Sequence, residues 1–285
     1  METRIDPPSP PSGLPSPGPG PATSPPPGGW AVGAGHGAAW WSAGWRLFKA
    51  APGMWILMTI TLVVVVFALA MIPILGQLAS TLLYPILGAG LLVGARDLDR
   101  GAPLTFGHLF ACFDSRVGPL VVATLLYVAG WFVVWLIAIG ICVAIFGFAS
   151  LSSILNVDPA LAPMDTLVTY GTAAIVALLI VLVLGAPLMM AYWFAPALIA
   201  LRGDTPTVAL KASFDASLRN MTPLLVYGLL FMFFAIVASI PMGLGWIVLA
   251  PVFVGSIYAS CRDIFPEVGA PVEGRPRIDA PPGLR

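Results

Sequence analysis

Asp97 and Asp99 are the nearest approach in the sequence to a catalytic carboxylate pair, two residues apart with Arg96 and Arg100 on either side. General acid–base work needs one carboxyl held protonated near the operating pH. Flanking guanidinium groups do the opposite, so these four residues read as a solvated helix-end charge cluster. Arg202 with Asp204, and Arg262 with Asp263, repeat the pattern further along. Other reactive types are sparse. Cys112, Cys142 and Cys261 lack ligand-like or redox spacing and read as small apolar fillers. His36 and His108 are the two histidines, too few for His-rich metal or haem chemistry. There is no phosphate-binding loop, dinucleotide fingerprint, zinc-protease helix or nucleophile elbow with a triad. The expectation is therefore a protein that is not an enzyme, with no catalytic, cofactor-binding or metal-binding residues and no cofactor.

Three prolines offer another kind of site. Pro85, Pro187 and Pro251 lie inside long apolar runs, and each removes one helix hydrogen bond, freeing the carbonyls of Thr81, Val183 and Ile247. Broken helices at matching positions of a repeat can build a substrate or ion site at the membrane midplane. They can equally be packing kinks whose backbone is re-satisfied by neighbours, and kinks are the expected reading.

Composition says what must position these residues. The chain is 59% apolar and 9% charged, against roughly half and a quarter in soluble domains. A formal net charge of zero gives no basic bulk for a nucleic-acid partner. Ala50–Ala95 is 46 residues without Asp, Glu, Lys or Arg, enough for two crossings at roughly 20 apolar residues each. Extending the same argument predicts six crossings, at about 54–72, 79–95, 120–149, 168–201, 223–240 and 244–261. The fourth is expected to break at Gly185-Ala186-Pro187 and again near Pro196. None of the six contains an ionisable Asp, Glu, Lys, Arg or His, the residues that mark proton relays and ion paths. The fold class is an all-α integral membrane protein.

Around this 38–264 membrane domain the tails differ. Residues 1–37 begin with eleven prolines among Ser and Gly before Trp30, so a disordered tail with polyproline character is expected. The first thirty residues hold no apolar core of a signal peptide. Residues 265–285 form a second polar tail. Between tails and crossings lie three amphipathic lead-in segments. Trp40, Trp41, Trp45 and Phe48 beside Arg46 and Lys49 suit a helix along the headgroups. Phe106, Leu109, Phe110 and Phe113 suggest a second such helix, with Pro103 at its start. Leu210, Phe214, Leu218 and Met221 give a third its apolar stripe, with Lys211, Asp215 and Arg219 facing away and Asp204 or Thr205 capping before Pro206.

Six crossings put all thirteen Lys and Arg on one side and none on the other, where the two short turns and the Asp158/Asp165 loop fall. The positive-inside rule then places both termini in the cytoplasm. A repeat follows as well. Ile72-Pro73, Pro85 and Arg96-Asp97 correspond to Ile240-Pro241, Pro251 and Arg262-Asp263, with Pro to Arg eleven residues apart in both. Ala186-Pro187 and Arg202-Gly203-Asp204 make a looser middle copy. The predicted architecture is three parallel hairpin repeats with cytoplasmic interfacial helices, because two crossings per unit is an even number.

Gly44-Trp45, Leu47-Phe48, Pro52, Ile72-Pro73, Gly76, Pro85, Gly90, Arg100-Gly101 and Leu109-Phe110-Ala111 with Phe113, in that order, resemble a family of uncharacterised proteobacterial multi-pass inner-membrane proteins. Phe194-Ala195-Pro196 and Ala209 with Ala212-Ser213-Phe214 are similar to its later half. The resemblance covers roughly residues 40–264 and implies a bacterial inner-membrane location with no assigned reaction. The function expected is a non-enzymatic scaffold or accessory in envelope or lipid homeostasis, the alternative being a transporter or channel for a neutral or lipid-like small molecule. The expected partners are the lipid bilayer and a membrane-protein partner or second copy, with no nucleic acid.

Overall fold

The computed structural model describes residue 26 and residues 28–147 and 164–269. The proline-rich start, the Asp158 loop and the last residues of the C-terminal tail lie outside the described residues. Nine α-helices are present among the described residues: α1 (His36–Ala50), α2 (Pro52–Ala70), α3 (Leu75–Asp99), α4 (Val117–Phe146), α5 (Met164–Trp193), α6 (Ala195–Arg202), α7 (Pro206–Arg219), α8 (Met221–Ser239) and α9 (Trp246–Ile264). Two short 3-10 turns, Phe106–Phe110 and Pro266–Val268, complete the elements of the described residues. Taking α5 and α6 together, six helical segments are long and apolar enough to cross a membrane. This is an all-helical membrane protein.

Local chemistry explains most boundaries. Pro52 opens α2 and Pro206 opens α7, where a missing N–H costs nothing. Thr205 is the residue before α7 but makes no side-chain cap, and Asp204 is occupied by Arg202 instead. Gly203 closes α6 in the left-handed region, φ +81°, with its N–H on the Leu198 and Ile199 carbonyls. At the turn between α2 and α3, Ile74 is held at φ 62°, a conformation that costs a β-branched residue of order 1–3 kcal/mol.

Two expectations need correction. The helix α5 continues past Pro187 and ends at Trp193, with the break at Phe194, ahead of Pro196. The hydroxyl of Ser213, from α7, enters the gap: it accepts from the Phe194 N–H at 2.9 Å and donates to the Met190 carbonyl at 2.8 Å. A side chain inserted into the helical ladder is a sufficient cause for a kink. The second predicted interfacial helix is a five-residue 3-10 turn, closed by a capping box between Thr105 and His108. Only Leu109 of its four apolar residues is buried; Phe106, Phe110 and Phe113 are exposed.

The burial pattern sorts the crossings. Half of the apolar window of α3 and 56% of that of α9 are buried within the protein, against 17% for α2, α4 and α8. The inner helices α3, α6 and α9 touch one another, and α2, α4 and α8 stand outside them with large apolar side chains such as Phe67, Phe132 and Phe233 exposed. The lead-in segments pack inward. Helix α1 lies on α9 and α8, the Phe106–Phe110 turn lies on α3, and α7 lies on α5. In α1 the buried residues are Trp40, Trp41, Gly44, Leu47 and Phe48, and Trp41 stacks on Tyr227 at 5.1 Å. A Cβ at Gly44 would strike the Val252 carbonyl of α9.

In α7 the buried face is Ala209, Ala212, Ser213, Ala216 and Ser217. Leu218, from the predicted apolar stripe, is exposed. Small residues let helices approach closely where lipid rather than water competes for the large ones. The chain also stays ordered beyond both predicted domain ends. Trp30 donates its N–H to the Ile264 carbonyl at 2.9 Å, the Asn220 side chain holds the Val32 N–H and the Trp30 carbonyl, and Phe265 and Val268 are fully buried.

Candidate functional site

The C-termini of α3, α6 and α9 end together in a charged collar. Arg96 and Asp97 pair at 3.2 Å, and His108 Nε2 meets the other Asp97 oxygen at 3.3 Å. Asp99 reaches across to α9, accepting from Arg262 and from the Tyr258 hydroxyl at 3.0 Å. Arg202 holds Asp204 and, at 3.0 Å, Glu267 beyond α9, with its guanidinium 5.2 Å from the Phe265 ring centre. Asp263 does not pair with Arg262. It turns to α1 instead, accepting from Trp40 Nε1 at 2.8 Å and lying 2.7 Å from His36 Nδ1. The Arg–Asp pairs predicted as helix-end clusters thus also link elements: Asp99 ties α3 to α9, Arg202 ties α6 to Glu267 beyond α9, and Asp263 ties α9 to α1.

Arg116, just before α4, extends the collar. Its guanidinium grips Asp114, the Ala111 carbonyl and, at 3.2 Å, the Ala200 carbonyl at the end of α6. The side-chain and backbone hydrogen bonds from Arg116 hold the Asp114 carboxyl down at about 2, and the same bond raises Arg116. Burial pushes the neighbouring Cys112 thiol up. All three cysteines are buried and unbridged. Among the described residues no three His, Cys, Asp or Glu side chains stand close enough to hold a metal ion.

The three prolines sit in unlike surroundings. Pro187 is exposed, Pro251 is buried between neighbours, and Pro85 is half-buried beside a groove of about 360 Å³. Gln77, Ser80, Thr81 and Tyr84 line one wall of that groove from α3, at helical spacing that puts them on one face. Thr124, Tyr127 and Tyr192 line the other. Thr124 Oγ1 and the Tyr192 hydroxyl are 2.9 Å apart, and the Tyr127 and Tyr192 rings stack at 4.2 Å. Seven neutral polar side chains here offer hydroxyl and amide hydrogen bonds with no charge.

Relatives locate the chain. The family described as "Domain of unknown function (DUF7847)" matches residues 114–274. A protein of Burkholderia thailandensis, described as a probable inner membrane protein, is 30% identical over 219 residues, covering 75% of this chain and 77% of that one. The chain belongs to the DUF7847 family. No solved structure matches it. The proteobacterial membrane family expected from the order of Gly, Pro and Trp-Phe motifs is the family found.

In this DUF7847 chain, sequence reasoning found the collar residues and Pro85 but missed the hydroxyl face beside it. The signal was available in Gln77, Ser80, Thr81 and Tyr84, spaced i, i+3, i+4 and i+7 within an otherwise apolar run. Two further cavities follow other helix seams. One, of about 410 Å³, lies between α5 and the α7–α8 junction, next to Trp193, whose buried indole N–H is the one orphaned buried side-chain donor among the described residues. The other, of about 720 Å³, lies between α1, α8 and α9.

Proposed function

We propose that this protein is a non-enzymatic accessory or scaffold of the bacterial inner membrane, acting in envelope or lipid homeostasis, with both termini in the cytoplasm. Its body is read as three parallel hairpin units, each a lead-in segment, a crossing, a turn and a proline-bearing crossing. Cyclic packing supports that unit: α1 lies on the last unit's α9, the Phe106–Phe110 turn on the first unit's α3, and α7 on the middle unit's α5. The observation that carries the functional reading is the division of polarity. The described ion pairs gather in the collar at one end, while the cavities at the seams between units are lined by apolar or neutral side chains. A protein built this way handles apolar or neutral molecules at its flanks and needs no charge transfer across its centre. Deleting the gene and measuring inner-membrane lipid composition and permeability to a neutral dye tests it. Altered composition or leakage is expected; an unchanged envelope under osmotic and detergent stress would contradict it.

A second reading, transport of a neutral or lipid-like molecule, is favoured by the hydroxyl-lined groove at Pro85. Purified protein in liposomes should then speed exchange of a fluorescent phospholipid between leaflets, and Tyr192→Phe with Thr124→Val should slow it. Exchange at the rate of protein-free liposomes would remove this reading.

A further inference from the structure

The cavity between α1, α8 and α9 has a polarity gradient along its length. Its floor and walls include Trp41, Phe234, Val237, Val248 and Val252, and it reaches Pro241 and Gly245 at the far turn. From α8 the lining runs from Leu230 to Ala238, about 12 Å at 1.5 Å per residue, so the groove follows roughly one leaflet of a hydrocarbon core about 30 Å thick. At about 720 Å³ it falls within the roughly 300–1,000 Å³ of sites that hold an organic ligand.

Its other end is different. Ser42 and Trp45 of α1 line the mouth. Arg46 donates to Ser42 Oγ at 3.5 Å and also lines a separate small cavity with Asp99, Tyr258 and Arg262, so its guanidinium stands between the groove mouth and the collar. Lys49 is one helical turn beyond Trp45 on the same exposed face of α1. Arg96, Arg116, Arg202 and Arg262 at the ends of the crossings are each matched by a carboxylate. Among the described residues, no carboxylate lies within ion-pair distance of Arg46 or Lys49. A neutralised collar beside two unmatched cations, placed at the headgroup end of an apolar groove, complements an amphiphile with an anionic head and an acyl tail.

We propose that this groove binds one anionic phospholipid taken from the bilayer, its acyl chain along α8 and α9 and its phosphate against Arg46 and Lys49, with the Trp45 ring at headgroup level. The site rests on the reading above that the collar lies at a membrane surface. It does not require the accessory role. A deletion strain with a normal envelope would remove that role and leave lipid binding standing.

Native mass spectrometry of the full chain, released from detergent and titrated with phosphatidylglycerol or phosphatidylethanolamine, tests it. The expected result is a one-to-one phosphatidylglycerol adduct favoured by about tenfold over phosphatidylethanolamine, as two basic side chains near an anionic head would give. Arg46→Glu with Lys49→Glu should abolish that preference while weak adducts of both lipids remain. Val237→Trp, which fills the groove from a half-exposed position, should reduce both adducts. Equal adducts of the two lipids in the unaltered chain, an unchanged preference in the charge-reversed variant at an unchanged melting temperature, or dimers in place of lipid adducts would overturn the proposal.

Discussion

Ser213 and Asn220 are small polar side chains that satisfy backbone which the apolar crossings leave open. Ser213 is fully buried and bridges the Phe194 N–H and the Met190 carbonyl across the α5–α6 break. Ser213→Ala leaves the Phe194 N–H unpaired in a buried setting, while the Met190 carbonyl keeps the Ser217 hydroxyl at 3.2 Å, at about 1–3 kcal/mol; thermal unfolding in detergent should show a clearly lower midpoint. Asp114 makes a pH prediction. Its carboxyl titrates in the folded state at about 2 against an ordinary 3.8, so its contribution is complete above 3.8 and is lost as pH falls toward 2. Between pH 4 and pH 2 the melting temperature should fall more in the parent chain than in Asp114→Asn. The side chain is half exposed, so solvent screening keeps the effect small. At this scale the sequence revealed which residues are charged and clustered. It did not reveal partners: Asp99 with Arg262, and Asp263 with Trp40, join residues 163 and 223 positions apart, and no local spacing encodes that.

Among elements, the crossings were the most legible and the lead-in segments the least. Charge-free length alone came within a few residues of the long apolar helices, since a membrane tolerates few alternatives to an apolar helix. Of the two breaks expected in the fourth crossing, the one near Pro196 is found at Phe194, where Ser213 of another helix enters, and the one at Pro187 is not, because a proline can stay inside a helix when its neighbours absorb the lost bond. The sequence marked the large apolar stripe of α7 but not its buried face, because small residues carry no hydrophobic signal of their own. Here Leu218 faces outward and Ala209, Ala212 and Ala216 face in. The α1–α9 contact makes the same point and can be tested. Gly44→Leu would drive a side chain into the Val252 carbonyl and the Ser256 backbone, and should destabilise the protein by several kcal/mol as overpacking against backbone. Gly53→Leu, where a side chain meets open space, should be neutral or slightly stabilising. Paired melting curves of the two variants check this, and equal curves would mean that α1 is not seated on α9.

For the whole molecule, α1 lying on α9, the Phe106–Phe110 turn on α3 and α7 on α5 tie the six long helical segments into one body. Contact of α1 with α9 brings the first and last of the described α-helices together. Neither this contact nor the depth at which α1 is buried could be read from periodicity, which sees one element at a time. The Pro85 groove was foreshadowed by its proline but not by its hydroxyls, because polar neutral residues in an apolar run look like ordinary tolerance until two helices face each other. The account as a whole depends on the collar being the cytoplasmic end. A phosphatase that is active only outside the cytoplasm, fused after Asp158, and a fluorescent protein that folds only inside, fused after Arg285, measure this in one pair of strains. The account predicts phosphatase activity from the first fusion and fluorescence from the second. A phosphatase silent at Asp158, or a dark C-terminal fusion with strong phosphatase activity in its place, would contradict it.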